Sequence, residues 1–245
     1  MDRERLHTQR VIAAGIAGNV MEWYDFSVYG YFAAIIGRHF FPAGDPTSSL
    51  LAAFGVFAAG FLMRPLGSLL FGYIGDKTSR KRALTVSVGM MAAPTFLIGT
   101  LPTYQQIGAW ASVLLVLLRL LQGLSVGGEF TTSAVFLVEG STDRRRGFLG
   151  SFAPLGASGG TLLGSALGAA VATVLGQSSV ESWGWRIPFL VGIGVGLVGF
   201  YIRRGLDENR LARPTKVSPV REAFRTEWST MLRLIGLNTA FAVGF

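Results

Sequence analysis

Long runs of apolar residues, separated by short polar and charged segments, dominate this chain from residue 11 to residue 203. A run of about 20 apolar residues is long enough to cross the hydrocarbon core of a membrane as a helix. The pattern predicts six spans, at roughly 11–36, 50–73, 83–101, 108–138, 148–175 and 186–203. A seventh apolar run starts near Met231 and reaches Phe245. We therefore predict an all-α membrane protein, a six-helix transmembrane bundle followed by the start of a seventh helix.

The same pattern divides the chain into three segments. We expect the bundle at 1–205, a polar cytoplasmic linker at 206–230, and a truncated start of the seventh helix at 231–245. The first apolar run contains acids and has no cleavage site made of small residues. We therefore expect it to be a retained span rather than a signal peptide.

Composition supports a membrane protein and excludes several other classes. The chain is 50% hydrophobic and 15% charged, whereas soluble domains carry about 25% charged residues. It has no cysteine and two histidines, so we expect no disulfide, no metal site, no cofactor and no catalytic residues. A membrane enzyme would need a nucleophile with its base, or clustered metal ligands, and neither is present in the sequence.

The basic residues predict the topology. Eighteen of the 22 lysines and arginines fall on one side of the predicted spans, in the N-terminal segment, in two loops and after the sixth span. Arg38 and Arg186 fall on the other side, and Arg64 and Arg119 lie within spans. Because cytoplasmic loops are enriched in bases, this distribution places both ends of the bundle in the cytoplasm. It also explains the net charge of +8 without a nucleic-acid partner.

Two spans carry charged residues on one helix face. In the first span, Glu22, Asp25 and Tyr29 follow Gly15 and Gly18 at intervals of three and four residues. Acids at membrane depth are unfavourable unless they face the bundle interior or a wet cavity. They indicate either a functional site or ion pairs that only hold helices together, and the sequence leaves both interpretations open.

The fourth span repeats this arrangement with Arg119, Gln122, Glu129 and Ser133. A rise of about 1.5 Å per residue puts Arg119 at the level of the two acids in the first span and Glu129 about 15 Å further inward. We therefore expect an outer layer in which Glu22 and Asp25 face Arg119. We also expect an inner layer in which Arg64 faces Glu129, although Arg64 is equally interpretable as a structural brace.

The turn between the second and third spans, from Gly72 to Leu84, contains one acid and four bases. Its glycines are expected to let backbones approach closely. Asp76 is expected to accept hydrogen bonds from the next helix or to pair with a base. A second basic turn at 139–147, with Asp143 before three arginines, is either a partner of this turn or a solvated cluster that sets topology.

Five stretches resemble a known family. Residues 72–84 are similar to the loop signature of the major facilitator superfamily, with Ser79 where that signature has its second glycine. Four further stretches resemble its metabolite:proton symporter branch, which includes permeases for proline and betaine, shikimate and α-ketoglutarate. They are 18–26, 64–67, 122–129 and 183–189. The resemblance covers almost the whole chain and corresponds to the N-terminal half of such a transporter.

The resemblance implies alternating access and proton-coupled uptake of a small metabolite, such as an organic acid or a compatible solute. The residues expected to couple protons and to line the substrate cavity are Glu22, Asp25, Tyr29, Arg64, Arg119, Gln122 and Glu129. The residues expected to form the cytoplasmic gating loop are Gly72, Asp76, Lys77, Arg80 and Lys81.

The expected partners are a small-molecule substrate, a proton, the lipid bilayer, and the missing C-terminal half or a second copy. The expected location is the inner cell membrane, with the N-terminus in the cytoplasm. Family transporters bind substrate between two halves, so we expect a truncated chain that does not transport alone. The alternative is a non-transporting half-bundle with a structural or regulatory role.

Overall fold

The computed structural model describes residues 2–42, 44–139, 143–204 and 225–243. Within these ranges the chain forms α-helices, a 3-10 turn at Asp143–Arg145 and a π-helical turn at Val180–Gly184, with no strand. The predicted all-α fold is therefore confirmed. The predicted linker lies outside the described residues except for 225–230. The α-helices are α1 (Asp2–Phe40), α2 (Pro46–Leu62), α3 (Arg64–Lys77), α4 (Arg80–Thr100), α5 (Tyr104–Ile107), α6 (Ala109–Glu139), α7 (Arg146–Gly150), α8 (Phe152–Ser179), α9 (Arg186–Arg204) and α10 (Trp228–Val243).

Five helical stretches in the described part of the chain are long and apolar enough to cross a membrane. They are Pro46–Lys77, Lys81–Thr100, Ala109–Val138, Arg146–Gly184 and Arg186–Arg204. The first predicted span lies within α1, which is 39 residues long and is less apolar because Asn19, Glu22 and Asp25 interrupt it.

Helix α1 is the centre of the bundle. It packs against α2, α4, α6, α8 and α9, and Met21, Tyr24 and Val28 on it are fully buried. Neighbouring helices therefore surround its middle turns, which explains how a helix with two acids at membrane depth is accommodated.

Four glycines let α8 lie close against α1. Gly156, Gly160, Gly164 and Gly168 are all buried and stand four residues apart. A β-carbon added at Gly160 or Gly164 would meet a backbone carbonyl oxygen of α1. The groove that the sequence predicts for a packed helix is confirmed, and its occupant is α1.

The second predicted span is two helices rather than one. The helix breaks at Met63, whose N–H points to Gly60 O and Phe61 O, and α3 starts at Arg64. Pro65 supplies no backbone donor to the preceding turn, which is the physical reason for a break at this point. Helix α6 lies close to the start of α3. A β-carbon added at Gly127 on α6 would collide with Arg64 O.

Candidate functional site

Asp25 lies at the centre of the bundle with both carboxylate oxygens bound. Arg119 donates from Nη1 to Oδ2 at 2.6 Å. Gln122 and Thr95 both donate to Oδ1, each at 2.8 Å. The carboxylate is fully buried. It forms an ion pair with Arg119, and both of its oxygens accept hydrogen bonds. The predicted pairing of Asp25 with Arg119 is confirmed.

Arg119 is held on its other side by an aromatic ring. Its guanidinium carbon lies 3.7 Å from the centroid of the Tyr29 ring, within the range of a cation–π contact. The Tyr29 hydroxyl donates to Ala53 O at 2.8 Å, which fixes the ring against α2. The Nε and Nη2 atoms of Arg119 have no hydrogen-bond partner, so this buried arginine keeps donors available for another acceptor.

Glu22 faces Arg64 rather than Arg119, which corrects the predicted outer layer. The Arg64 Nη2 atom lies 3.4 Å from Glu22 Oε1. Glu22 stands three residues before Asp25 on α1, so it lies about 4.5 Å nearer the N-terminal end of that helix. That shift is enough to move its side chain from the level of Arg119 to the helix break at which α3 begins.

Arg64 packs against two phenylalanine rings. Its guanidinium carbon is 3.9 Å from the ring centroid of Phe61 and 4.9 Å from that of Phe26. These contacts stabilise a cation at the helix break. Its side chain is still 29% exposed, whereas that of Glu22 is 2% exposed.

Glu129 pairs with Arg203, so the predicted inner pair of Glu129 with Arg64 is wrong. Arg203 Nη2 donates to Glu129 Oε1, and its Nη1 donates to Oε2 at 3.2 Å. The Ser87 hydroxyl also donates to Oε2. Arg203 further binds Ala14 O and Leu84 O. Arg203 belongs to the bases from which the topology was predicted, but its long side chain is fully buried at the end of α9.

A very small cavity of about 10 Å³, the lower limit for one water molecule, lies beside Arg64 and Arg119. Two arginines and a glutamine supply the polar atoms of its lining. Three phenylalanines supply the apolar walls, and two glycines allow close packing. They are Arg64, Arg119, Gln122, Phe26, Phe57, Phe61, Gly60 and Gly123. The cavity thus brings two guanidinium groups together in otherwise apolar surroundings, with space for about one water molecule.

The predicted gating loop forms the turn from α3 to α4. Lys77 ends α3, where its ammonium nitrogen lies 5.9 Å from the Tyr73 ring centroid. Ser79 accepts a hydrogen bond from Arg82 N at 3.1 Å and caps α4, which gives a physical reason for serine at this position. Lys81 belongs to the first turn of α4.

Two residues of the predicted loop, Gly72 and Asp76, lie within α3. A β-carbon at Gly72 would meet nothing within 4 Å, so the close approach predicted there is not observed. Asp76 is half-buried. The side chains of Arg80 and Asp143, and residues 140–142, lie outside the described part of the chain, so contact between the two basic turns stays a prediction.

Sequence reasoning missed three side chains of the site. Thr95 on α4 binds Asp25, and it also accepts from Gln122 Nε2 at 2.8 Å. Ser87 on α4 and Arg203 on α9 bind Glu129. Hydroxyl residues are common in apolar helices and give no distinctive signal. Arg203 stands beside Arg204 at a span end, where a base normally indicates topology.

Comparisons with known proteins agree on one family. The family model described as "Sugar (and other) transporter" matches residues 11–209. The proline/betaine transporter of Salmonella typhimurium is 39% identical over 253 aligned positions, covering 97% of this chain and 50% of that protein. The alpha-ketoglutarate permease of Escherichia coli is 45% identical, covering 80% of this chain and 46% of that protein. The chain therefore spans about half the length of these curated relatives.

Solved structures give the same fold. The major facilitator superfamily proton:xylose symporter XylE, bound to 6-bromo-6-deoxy-D-glucose, superposes with a TM-score of 0.74 at 17% identity. The match covers 83% of this chain and 46% of that protein. At this identity the likeness concerns the fold alone.

Proposed function

The chain belongs to the sugar (and other) transporter family of the major facilitator superfamily, and from this premise we propose that it forms the N-terminal half of a proton-coupled symporter. The resemblance seen in the sequence is thereby confirmed at the level of the family. The expectation that the chain is not an enzyme is confirmed too, because the family consists of transporters. The proposed substrate is a small metabolite that carries a carboxylate.

The observation that supports this proposal is the pair of buried acid–arginine contacts beside the cavity. Arg64 and Arg119 each face an acid on one side and the cavity on the other. Nitrogen atoms without a hydrogen-bond partner remain on Arg119, at Nε and Nη2, whereas Arg64 Nη2 faces Glu22 Oε1 at 3.4 Å without a hydrogen bond. Proline, betaine and α-ketoglutarate, which the relatives' names mention, all contain a carboxylate that accepts hydrogen bonds from guanidinium groups.

Coupling follows from competition for the arginines. An acid that faces an arginine remains ionised, and it takes up a proton when the arginine moves away or binds the substrate carboxylate instead. Protonation then favours one of the two access states over the other, which is the requirement for coupled transport. Glu129 contributes to this electrostatic environment from the cytoplasmic side of the site.

The proposed setting is the inner cell membrane, with the N-terminus in the cytoplasm. Transporters of this kind bind substrate between two bundles, so the complete carrier needs a second half or a second copy of this chain. For experiments, the term complete carrier means this chain together with a C-terminal half, either its own or that of the E. coli alpha-ketoglutarate permease.

Asp25→Asn tests the proposal in the complete carrier. The unsubstituted carrier is expected to accumulate radiolabelled proline, glycine betaine or α-ketoglutarate when an inward proton gradient is imposed, and to stop when an uncoupler is added. Asp25→Asn removes the charge that holds Arg119, so gradient-driven accumulation is expected to disappear. Uptake by membrane vesicles measures both effects. If accumulation continues in the presence of the uncoupler, or is retained by Asp25→Asn, proton coupling through this site is contradicted.

The same experiment includes the alternative of a non-transporting half-bundle. The chain without a C-terminal half is expected to take up none of the three substrates. If the complete carrier also takes up none, while both halves are present in the membrane, the structural or regulatory role is favoured instead.

A further inference from the structure

We propose that one ordered water molecule is an internal ligand of this bundle, bound in the cavity between Arg64, Arg119 and Gln122. The water joins the hydrogen-bond network of Asp25 to the start of α3. The inference goes beyond the proposed function, because it concerns a ligand of the chain itself and is tested without transport. Three features support it: buried polar atoms that lack a partner, the size of the cavity, and its aromatic walls.

Buried polar atoms without a partner are concentrated at this cavity. In the described part of the chain, seven buried side-chain atoms have no hydrogen-bond partner, and four of them belong to the three polar residues that line the cavity. They are Arg64 Nη2, Arg119 Nε, Arg119 Nη2 and Gln122 Oε1. Buried polar atoms in native proteins are satisfied by protein groups or by ordered water. Three nitrogen donors and one oxygen acceptor around one space therefore indicate a ligand that both accepts and donates hydrogen bonds.

Asp25 orients the two side chains that contribute most of these atoms. Arg119 donates to Asp25 from Nη1 at 2.6 Å, so the edge formed by Nε and Nη2 remains available. Gln122 is divided in the same way. Its Nε2 donates to Asp25 and to Thr95, each at 2.8 Å, and its Oε1 has no partner. A donor edge and an acceptor oxygen thus remain on two residues that line the same cavity.

The size of the cavity favours water over other ligands with these properties. A volume of about 10 Å³ is the lower limit for one water molecule and is too small for a metabolite with a carboxylate. The water accepts from Arg119 and Arg64 and donates to Gln122 Oε1, which agrees with the about two to four partners of a buried water. An anion is disfavoured because Arg64 already faces Glu22 and Arg119 already faces Asp25.

Aromatic rings form the apolar walls of the cavity. Phe26, Phe57 and Phe61 line it, and the ring centroid of Phe57 lies 5.4 Å from that of Phe26 and 5.2 Å from that of Phe61. Carbon-only rings supply no conventional hydrogen-bond group, and the volume leaves no space for a second water. The water therefore depends on the three polar residues for all its hydrogen bonds, which fixes its position.

The water extends the buried network from three helices to four. Asp25, Thr95, Gln122 and Arg119 lie on α1, α4 and α6, whereas Arg64 begins α3. The water also gives the available edge of Arg119 an acceptor when no substrate is bound. This last consequence rests on the proposed function, in which a substrate carboxylate binds the same N–H groups.

Solid-state NMR of the purified chain in lipid bilayers, with isotope-labelled arginine, tests the site. The Arg119 Nε–H signal is assigned through its contact with the Tyr29 ring, whose centroid lies 3.7 Å from the guanidinium carbon. Transfer of magnetisation from water protons to this N–H is expected. Bulk water does not account for such a signal, because the Arg119 side chain is 3% exposed and its Nε is buried.

Two glycines of α2 supply the variant and its matched control. Gly60 lines the cavity, and a β-carbon added there would lie 3.2 Å from Arg119 O, so the methyl group of Gly60→Ala is expected to take the space of the water. A β-carbon at Gly55 would meet nothing within 4 Å. The water signal at Arg119 is therefore expected to disappear in Gly60→Ala and to persist in Gly55→Ala.

The inference is overturned if the unsubstituted chain shows no water signal at Arg119 Nε–H, or if Gly60→Ala retains it. If Gly60→Ala does not fold, a high-resolution crystal structure of the unsubstituted chain in bromide buffer provides a second test. A water peak at about 2.7–3.2 Å from Arg119 and from Gln122 Oε1 supports the inference. The absence of a peak, or a peak with the anomalous signal of bromide, overturns it. None of these measurements uses transport, so failure of the proposed function is detected separately by the uptake assays.

Discussion

At the scale of single residues, each buried acid in the described part of the bundle faces an arginine from a different helix. Asp25 faces Arg119 on α6, Glu22 faces Arg64 on α3, and Glu129 faces Arg203 on α9. Removal of one partner from a buried ion pair leaves an uncompensated charge, which is destabilising by about 3–5 kcal/mol. The acids are therefore compatible with an apolar interior only as long as their arginines are present.

Arg203→Gln tests this at the inner pair. We expect it to lower the free energy of unfolding by about 3–5 kcal/mol, because the buried carboxyl group of Glu129 loses its cation. Denaturant titration of the purified chain in detergent, followed by tryptophan fluorescence, measures the change. Arg204→Gln is the control, since Arg204 is exposed and its loss should change stability by less than about 0.5 kcal/mol. Glu129→Gln added to Arg203→Gln should restore part of the loss, and equal effects of the two arginine changes would contradict the pairing.

The sequence was sufficient to find most of these residues and insufficient to pair them. Charged groups at membrane depth must face the interior, and intervals of three and four residues put Glu22, Asp25 and Tyr29 on one face of α1. Counting depth along straight helices gave the Asp25–Arg119 pair correctly. It failed for Arg64, because the helix break at Met63 and the reach of long side chains are not encoded in residue spacing. It failed for Arg203 because a base at a helix end looks the same whether it points outward or back into the bundle.

At the scale of helices, small residues determine which pairs come close. The four-residue spacing of glycines on α8 predicts a packed face, and in the structure this face lies along α1. Sequence alone did not identify α1 as the partner, since a glycine stripe fits any helix that presents a smooth side. The break between α2 and α3 was also missed as a boundary, although Pro65 indicated a kink.

Two adjacent glycines of α8 allow a matched test of this packing. A β-carbon at Gly160 would collide with Val20 O of α1, whereas one at Gly159 would meet nothing within 4 Å. Both substitutions to alanine bring the same gain in helix propensity, about 1 kcal/mol or less. Gly160→Ala should nevertheless lower the free energy of unfolding by about 1–3 kcal/mol through overpacking, and Gly159→Ala should not lower it. Denaturant titration in detergent measures both, and equal stabilities would show that α8 does not lie this close to α1.

At the scale of the whole molecule, the bundle has faces that the helices described by the structure leave uncovered. Leu51, Phe54 and Leu62 on α2, and Leu155 and Leu162 on α8, are exposed apolar side chains. Apolar surfaces of this kind need lipid or a packed partner. The exposed apolar side chains are consistent with the proposal that this chain, which spans about half the length of its relatives, acts together with a second half.

The orientation of the bundle is the last property that the sequence predicts and that remains to be measured. The prediction depends on the basic residues outside the spans. It is unchanged when Arg203, which is buried, is left out of the count.

The chain contains no cysteine, so single cysteines introduced into it can be labelled without background. Thr78→Cys reports on the α3–α4 turn. Gln105→Cys and Ser182→Cys report on the opposite end, where Arg186 donates to Gly99 O and Leu101 O. A membrane-impermeant maleimide should label the last two in intact cells and Thr78→Cys only after the membrane is disrupted, because the bases beside Thr78 keep that turn in the cytoplasm. Labelling of Thr78→Cys in intact cells, with protection of the other two, would reverse the topology and place the Glu129–Arg203 pair on the outer side of the Asp25–Arg119 pair.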